Sequence, residues 1–282
     1  MGRTRTLGAI TALLTVAACG GQATQSEAPP KGVSVTLNQW RNDDPAHAVE
    51  ISVRNDTTTP VRFVDVQLVT DSLKTLPPER VDSTLGRTPR TDLRIPYGAA
   101  RCDPVKIPPV KPATVVAHVQ VGNGPVRLAR FPVPHPDPTL AMLVANECGA
   151  YILRQSVDVT FEDAWAHVGK TLHGTLLVSR KGGEDSLSVD DLGNTTHFNL
   201  RPLSGRRRPV VVLPPGTTRL EIPVEITPAR CDPHAFAEAK KAYLFPVWAT
   251  VGSGQEHWLI ATPPPPVQAT FLSYAEKTCG VG

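Results

Sequence analysis

Ala100-Arg101-Cys102-Asp103-Pro104 recurs as Ala229-Arg230-Cys231-Asp232-Pro233, and this pair of pentapeptides decides the organisation of the chain. Self-similarity at a long period marks a structural unit used more than once. Working outward, Val33-Ser34-Val35-Thr36-Leu37 matches Val157-Asp158-Val159-Thr160-Phe161, and Ile95-Pro96 matches Ile222-Pro223. Further on, Val121-Gly122-Asn123-Gly124 matches Val251-Gly252-Ser253-Gly254, and Cys148-Gly149 matches Cys279-Gly280. The offset drifts only between 124 and 131 residues, as short loop insertions produce. The sequence therefore reads as a tandem duplication, with copies at 33–153 and 154–282.

Each copy holds two cysteines, 46 and 48 residues apart. Four cysteines allow three pairings, and spacing alone does not choose among them. The repeat does, because equivalent positions in two folded copies make equivalent bonds. The expected bridges are Cys102–Cys148 and Cys231–Cys279. Closing loops of that length stabilises a fold by about 4 kcal/mol on the chain-entropy argument. A metal site shared by the four thiols is disfavoured by the absence of any CxxC spacing, and neither metal nor cofactor is expected.

Within each copy the apolar residues alternate over short stretches, as in half-buried strands. Val33, Val35 and Leu37 show it first, then Val49, Ile51 and Val53, then Val61, Phe63 and Val64, and later Val115, Val119 and Val121. Turn formers punctuate them at Asn42-Asp43-Asp44-Pro45, Asn55-Asp56 and Gly122-Asn123-Gly124. In the second copy the same reading places strands near 157–161, 174–180, 196–201, 209–213, 218–226, 242–251 and 257–262, with a last one near 268–274. The expected fold class is all-β: two tandem immunoglobulin-like antiparallel β-sandwich domains. A short crossover helix is expected in the second, where Asp232-Pro233 precedes good helix formers as far as Lys241. Proline at 29 of 282 residues and aromatics at 5% fit short strands and many turns.

The N-terminus carries a different message. Arg3 and Arg5 precede an uncharged apolar run from Leu7 to Ala18, the order of a signal peptide. That run is shorter than the roughly 20 apolar residues of a membrane-spanning helix. Val16-Ala17-Ala18-Cys19 resembles the lipobox of bacterial lipoproteins, although that family prefers leucine where Val16 stands. The resemblance implies a signal peptide at 1–18, a lipid on Cys19 and a location on the outer face of the cell membrane, with 19–32 as a flexible polar tether. The Arg-Cys-Asp-Pro-His run and the terminal Cys-Gly also resemble a repeated pattern in uncharacterised exported actinobacterial proteins. That second resemblance implies a location and a fold habit, and no activity.

Charge narrows the partners. Lys and Arg number 29 and Asp and Glu 26, so removing Arg3 and Arg5 leaves a nearly neutral chain, unlike the basic surplus of a nucleic-acid binder. Arg206-Arg207-Arg208 is the densest positive cluster and the candidate binding loop, facing lipid headgroups, wall polymers or solvent. The acidic run from Gly182 to Asn194 lacks the order of a calcium loop and reads as a solvated turn. His234, His167 and His173 read as surface residues, and Trp40 and Trp165 as core packing. No Gly-x-Ser-x-Gly, His-Glu-x-x-His or phosphate-cradling loop appears, so no catalytic residue is assigned and an enzyme is not expected. The expected function is a membrane-anchored binding or assembly module engaging an envelope protein, a wall polymer or a small solute. The alternatives are a structural spacer and, behind it, an envelope hydrolase or transferase. A binding surface is expected first on the second copy.

Overall fold

The computed structural model describes residues 27–206, 208–232 and 241–280. The signal segment, Cys19, Arg207, His234 and residues 233–240 of the expected crossover helix lie outside the described residues. Sequence alternation becomes alternation of burial. In β1 (Val33–Asn38), Val33, Val35 and Leu37 are buried while Ser34 and Thr36 are exposed. β1 pairs with β2 (Ala48–Asn55), and β2 pairs with β5 (Thr88–Pro96). A second sheet runs in the order β4 (Glu79–Leu85), β3 (Val61–Thr70), β6 (Ala113–Val121), β7 (Arg127–Pro132). Ile51 and Ile95 from the first sheet and Phe63, Val115 and Phe131 from the second meet in one core.

Residues 157–261 repeat the scheme. β8 (Val157–Phe161), β10 (Thr171–Arg180) and β14 (Arg219–Pro228) stand where β1, β2 and β5 do. β12 (Phe198–Pro202) adds an edge to β14, and the short β9 (Ala166–Val168) pairs with β10. The other sheet runs β13 (Val211–Leu213), β11 (Leu187–Leu192), β15 (Phe245–Val251), β16 (His257–Ala261), matching β4-β3-β6-β7. Every strand pair is antiparallel, and the fold is an all-β sandwich architecture, as the sequence predicts.

The likeness extends to irregularities. A bulge interrupts β3 between Phe63 and Asp65, and another interrupts β11 between Val189 and Asp191. The first explains why Val64 breaks the sequence alternation: it is the extra residue of the bulge. One sequence match is displaced. Leu93 lies opposite Ile51 as Ile222 lies opposite Leu176, so the structural counterpart of Ile222 is Leu93, not Ile95. A two-residue slip keeps each side chain on its own face, which is why the false match looks sound.

Two helices stand where the sequence reading placed none. α1 (Pro138–Ser156) follows β7, and α2 (Pro265–Cys279) occupies the stretch read as a strand at 268–274. Val267, Phe271, Tyr274 and Ala275 are the buried residues of α2, a spacing of three and four that only a helix brings to one face. α1 starts where Asp137 Oδ1 accepts a hydrogen bond of 2.7 Å from the Leu140 amide, with Pro138 in the first turn. The acidic run is also only partly loop, because Leu187–Leu192 forms β11 and buries Leu187, Val189 and Leu192.

α1 runs through the expected junction at 153/154. Leu140, Leu143, Val144 and Cys148 enter the first core, and Leu153 enters the second. The same helix lies against β16, where Gly149 permits the approach: a Cβ at that position would stand 3.0 Å from His257 Nδ1. Both disulfides close as the repeat predicts, Cys102–Cys148 and Cys231–Cys279, each with a Cα–Cα distance of 5.1 Å. Each ties the segment that follows β5 or β14 to the helix that ends its half. Among the described residues no helix is long and apolar enough to cross a membrane.

Candidate functional site: a cleft between the halves

Where α1 meets β16, a cleft of about 420 Å³ opens between the two halves. Its floor comes from the first half, at the start of β2, the end of β5 and the loop to Cys102; Trp258 and Ile260 of β16 form the facing wall. Alternate strand residues point to one face, so Trp258 and Ile260 stand side by side. On α1 the lining residues Leu143, Asn146, Glu147, Ala150, Tyr151 and Arg154 follow the spacing of one helical face.

Glu147 organises the floor. Its Oε2 accepts from the Ala100 amide at 2.7 Å, and its Oε1 lies 2.9 Å from His47 Nε2. His47 Nδ1 lies 2.9 Å from the Tyr97 carbonyl oxygen, and the two rings stack at 3.9 Å. Both imidazole nitrogens therefore sit against oxygen atoms of the protein itself. Burial, followed by the charge of Glu147 and a hydrogen bond to it, pushes the Tyr97 phenol well above the ordinary tyrosine range. His47 holds its place with a left-handed φ of 50°, a conformation that a non-glycine residue adopts only where its surroundings demand it. Beside it Asp44 receives the Lys241 ammonium from the second half, which ties the halves together at the rim.

The loop that carries Tyr97 has no slack. A Cβ on Gly98 would fall 1.8 Å from the Lys74 carbonyl oxygen, so only glycine lets the chain pass there.

The residues singled out from sequence fall elsewhere. Arg206 is exposed, and Arg208 is engaged with Glu256 at 2.9 Å and Asp191 at 3.6 Å, so its charge is already answered. The groove of about 720 Å³ beside that loop mixes Arg201, Arg206 and Arg208 with Asp191 and Glu225. Asp103 accepts from the Val105 and Lys106 amides, which hold its carboxyl below the usual range, while Asp232 pairs with Arg230. His167 packs edge-on to Tyr274, and His173 lies 2.8 Å from Thr171 Oγ1. Trp165 belongs to the second core, as expected, with its ring 4.6 Å from that of Phe271. Trp40 does not: it is 51% exposed, covered by the Arg90 guanidinium and hydrogen-bonded to Asp92. Among the described residues no group of three His, Cys, Asp or Glu side chains is placed to hold a metal ion.

The repeated pentapeptide, through Ala100 and Cys102, connects the sequence reading to the cleft. Cys102 lines it, and the bridge to Cys148 fixes α1 above its floor. His47, Tyr97 and Glu147 are distant in sequence and carry no motif, so the repeat offered no signal for them.

No protein-family model matches the chain, and no curated protein matches it either. Among solved structures it is similar to red sea bream transglutaminase, at 10% identity over 84% of this chain and 32% of that one, with a TM-score of 0.23. It is also similar to the Amycolatopsis orientalis exo-chitosanase in complex with PNP-beta-D-glucosamine, at 11% identity over 82% of this chain and 26% of that one, with a TM-score of 0.20. The chain thus spans a third or less of the length of these structures, and likenesses at this level carry no conclusion about activity.

Proposed function

We propose that this chain is an extracytoplasmic, lipid-anchored binding module, whose two immunoglobulin-like copies hold a small solute in the cleft between them and do no chemistry on it. The observation that carries this reading is the inequality of the copies at the cleft. By strand register and disulfide alignment, His47, Tyr97 and Glu147 correspond to Leu172, Ile226 and Thr278. Leu172 and Ile226 are buried apolar residues, which is what the duplicated framework needs for packing alone. A polar network replaces them only where the halves meet. A cleft of this size, with aromatic walls and a few placed polar groups, fits the general character of small-molecule sites.

The non-catalytic part of the proposal rests on the same network. A general base must present a free lone pair to its substrate, and His47 spends both nitrogens on Tyr97 and Glu147. Anchoring rests on the lipobox resemblance at Cys19, and Cys19→Ala is expected to leave the chain unprocessed or released from the membrane. The cleft is tested by native mass spectrometry of the full chain purified from its own cells. A bound small molecule is expected, and Ala150→Trp, which fills the cleft from α1, is expected to remove it. If neither form carries a bound molecule, a structural spacer becomes the better reading.

A further inference from the structure

The cleft's polar groups divide into those already used and those left over. Both carboxylate oxygens of Glu147 are engaged, and Asp44 is answered by Lys241 across the rim. The carboxylates of the lining are therefore occupied by groups of the protein itself. Along α1, the Asn146 amide, the Tyr151 hydroxyl and the Arg154 guanidinium have no hydrogen bond or ion pair among the described residues, and neither has Trp258 Nε1 opposite. Arg154 is thus the one charged side chain of the cleft with no polar partner among those residues. Tyr151 is 41% exposed, and its ring meets no other aromatic ring among the described residues.

Resting on the cleft being the binding site, we propose that it takes a small ring-bearing anion, whose ring lies against Trp258 and Tyr151 and whose carboxylate or similar oxygen group accepts from Arg154. The leftover groups are mostly donors. Guanidinium, indole N–H and the amide NH₂ only give hydrogen bonds, and the phenol can do so, which suits a ligand rich in acceptors. A guanidinium also matches a two-oxygen anion in the plane of its fork. The walls add apolar and aromatic surface on which a ring stacks, and aromatic contact is favourable beyond the area that it buries. A cation is disfavoured because no lining carboxylate remains free to receive it.

Three probes separate the parts of this inference: 2-naphthoate (ring and charge), 2-naphthamide (ring without charge) and acetate (charge without ring). Binding to the full chain is measured by titration calorimetry, with circular dichroism and thermal midpoints verifying each variant. Naphthoate is expected to bind at least about tenfold more tightly than either other probe, a difference of about 1.4 kcal/mol. Arg154→Gln, at an exposed position, is expected to erase that preference and leave naphthamide binding unchanged. Arg154→Glu should go further and make naphthoate the weaker of the two ring probes. Trp258→Phe is expected to weaken both ring probes. Equal binding of naphthoate and naphthamide to the unsubstituted chain, or a preference that survives Arg154→Gln, overturns the anion while leaving the cleft as a site for rings. If no probe binds, the anion is overturned as well. A bound molecule still lost on Ala150→Trp would then keep the binding reading, and its absence would remove both.

Discussion

His47 and Glu147 are one hundred residues apart in the chain, and their side chains meet at 2.9 Å. The contact joins the start of β2 to the middle of α1, and Glu147 extends it to the Ala100 amide on the loop before Cys102. Removing the carboxylate leaves an amide, an imidazole and the Tyr97 phenol without their acceptor, in a partly buried setting where unmade hydrogen bonds are expensive. Glu147→Ala is expected to lower stability by about 2–3 kcal/mol in urea unfolding. Thr278→Ala, at the equivalent position of the second half, is expected to change it by less than about 0.5 kcal/mol. Equal effects at the two positions would mean that Glu147 is an ordinary surface residue.

The second core makes a different demand on its helix. Phe271 is fully buried, with Trp165, Phe198, Phe161 and Phe245 between 4.6 and 6.4 Å from its ring. Truncation removes a large apolar surface and leaves a cavity that the two sheets cannot close. Phe271→Ala is expected to cost about 3–5 kcal/mol, read as the shift in urea midpoint with an unchanged slope. Leu272→Ala, one position along and exposed, is expected to be nearly silent. The reverse order would mean that this segment turns a different face to the core.

These two helices show where the sequence was legible and where it was not. The duplication, both disulfides and most strands followed from sequence pattern, because the alternating apolar residues are the ones that enter the two cores. α1 and α2 escaped because a short buried apolar run has the same composition in either period, and their proline starts resemble the turns of a β-rich chain. β4 and β5 escaped because Glu79, Arg80, Arg90 and Arg94 face solvent and dilute the alternation. The cleft was illegible for a deeper reason. It exists only where the copies meet, and its network joins His47, Tyr97 and Glu147, residues that the repeat does not share.

Glu50 offers a pH test away from the cleft. It is buried on β2, and desolvation raises its carboxyl above 4.5, with Asp43 and Asp92 adding to the rise and Arg94 and Arg90 opposing it. A carboxyl that holds its proton more tightly when folded destabilises the native state once it ionises. The penalty is fully present above the folded value and vanishes below the unfolded one. Glu50→Gln is therefore expected to raise the thermal midpoint at pH 7, with the difference shrinking as pH falls and gone below about pH 4. Identical midpoints at pH 7 would show that Glu50 carries no desolvation penalty.

The junction between the halves turns on one missing methyl group. Gly149 lies inside α1, where alanine is ordinarily preferred by about 1 kcal/mol, yet its Cβ would press on the His257 ring at 3.0 Å. The matching residue of the repeat, Gly280, sits at φ 65° as the cap of α2, with open space around it. The two glycines are thus kept for different reasons, close approach at one and backbone conformation at the other. Gly149→Ala alone is expected to be neutral or destabilising, because the helix gain is offset by the displaced ring. In a His257→Ala background the same substitution is expected to stabilise by about 1 kcal/mol. That non-additivity is the signature of direct contact. Gly280→Ala is expected to cost about 1 kcal/mol in either background, since its strain is in the backbone. Additive effects of Gly149→Ala and His257→Ala would mean that α1 does not lie on β16, and the cleft would lose the wall that Trp258 and Ile260 provide.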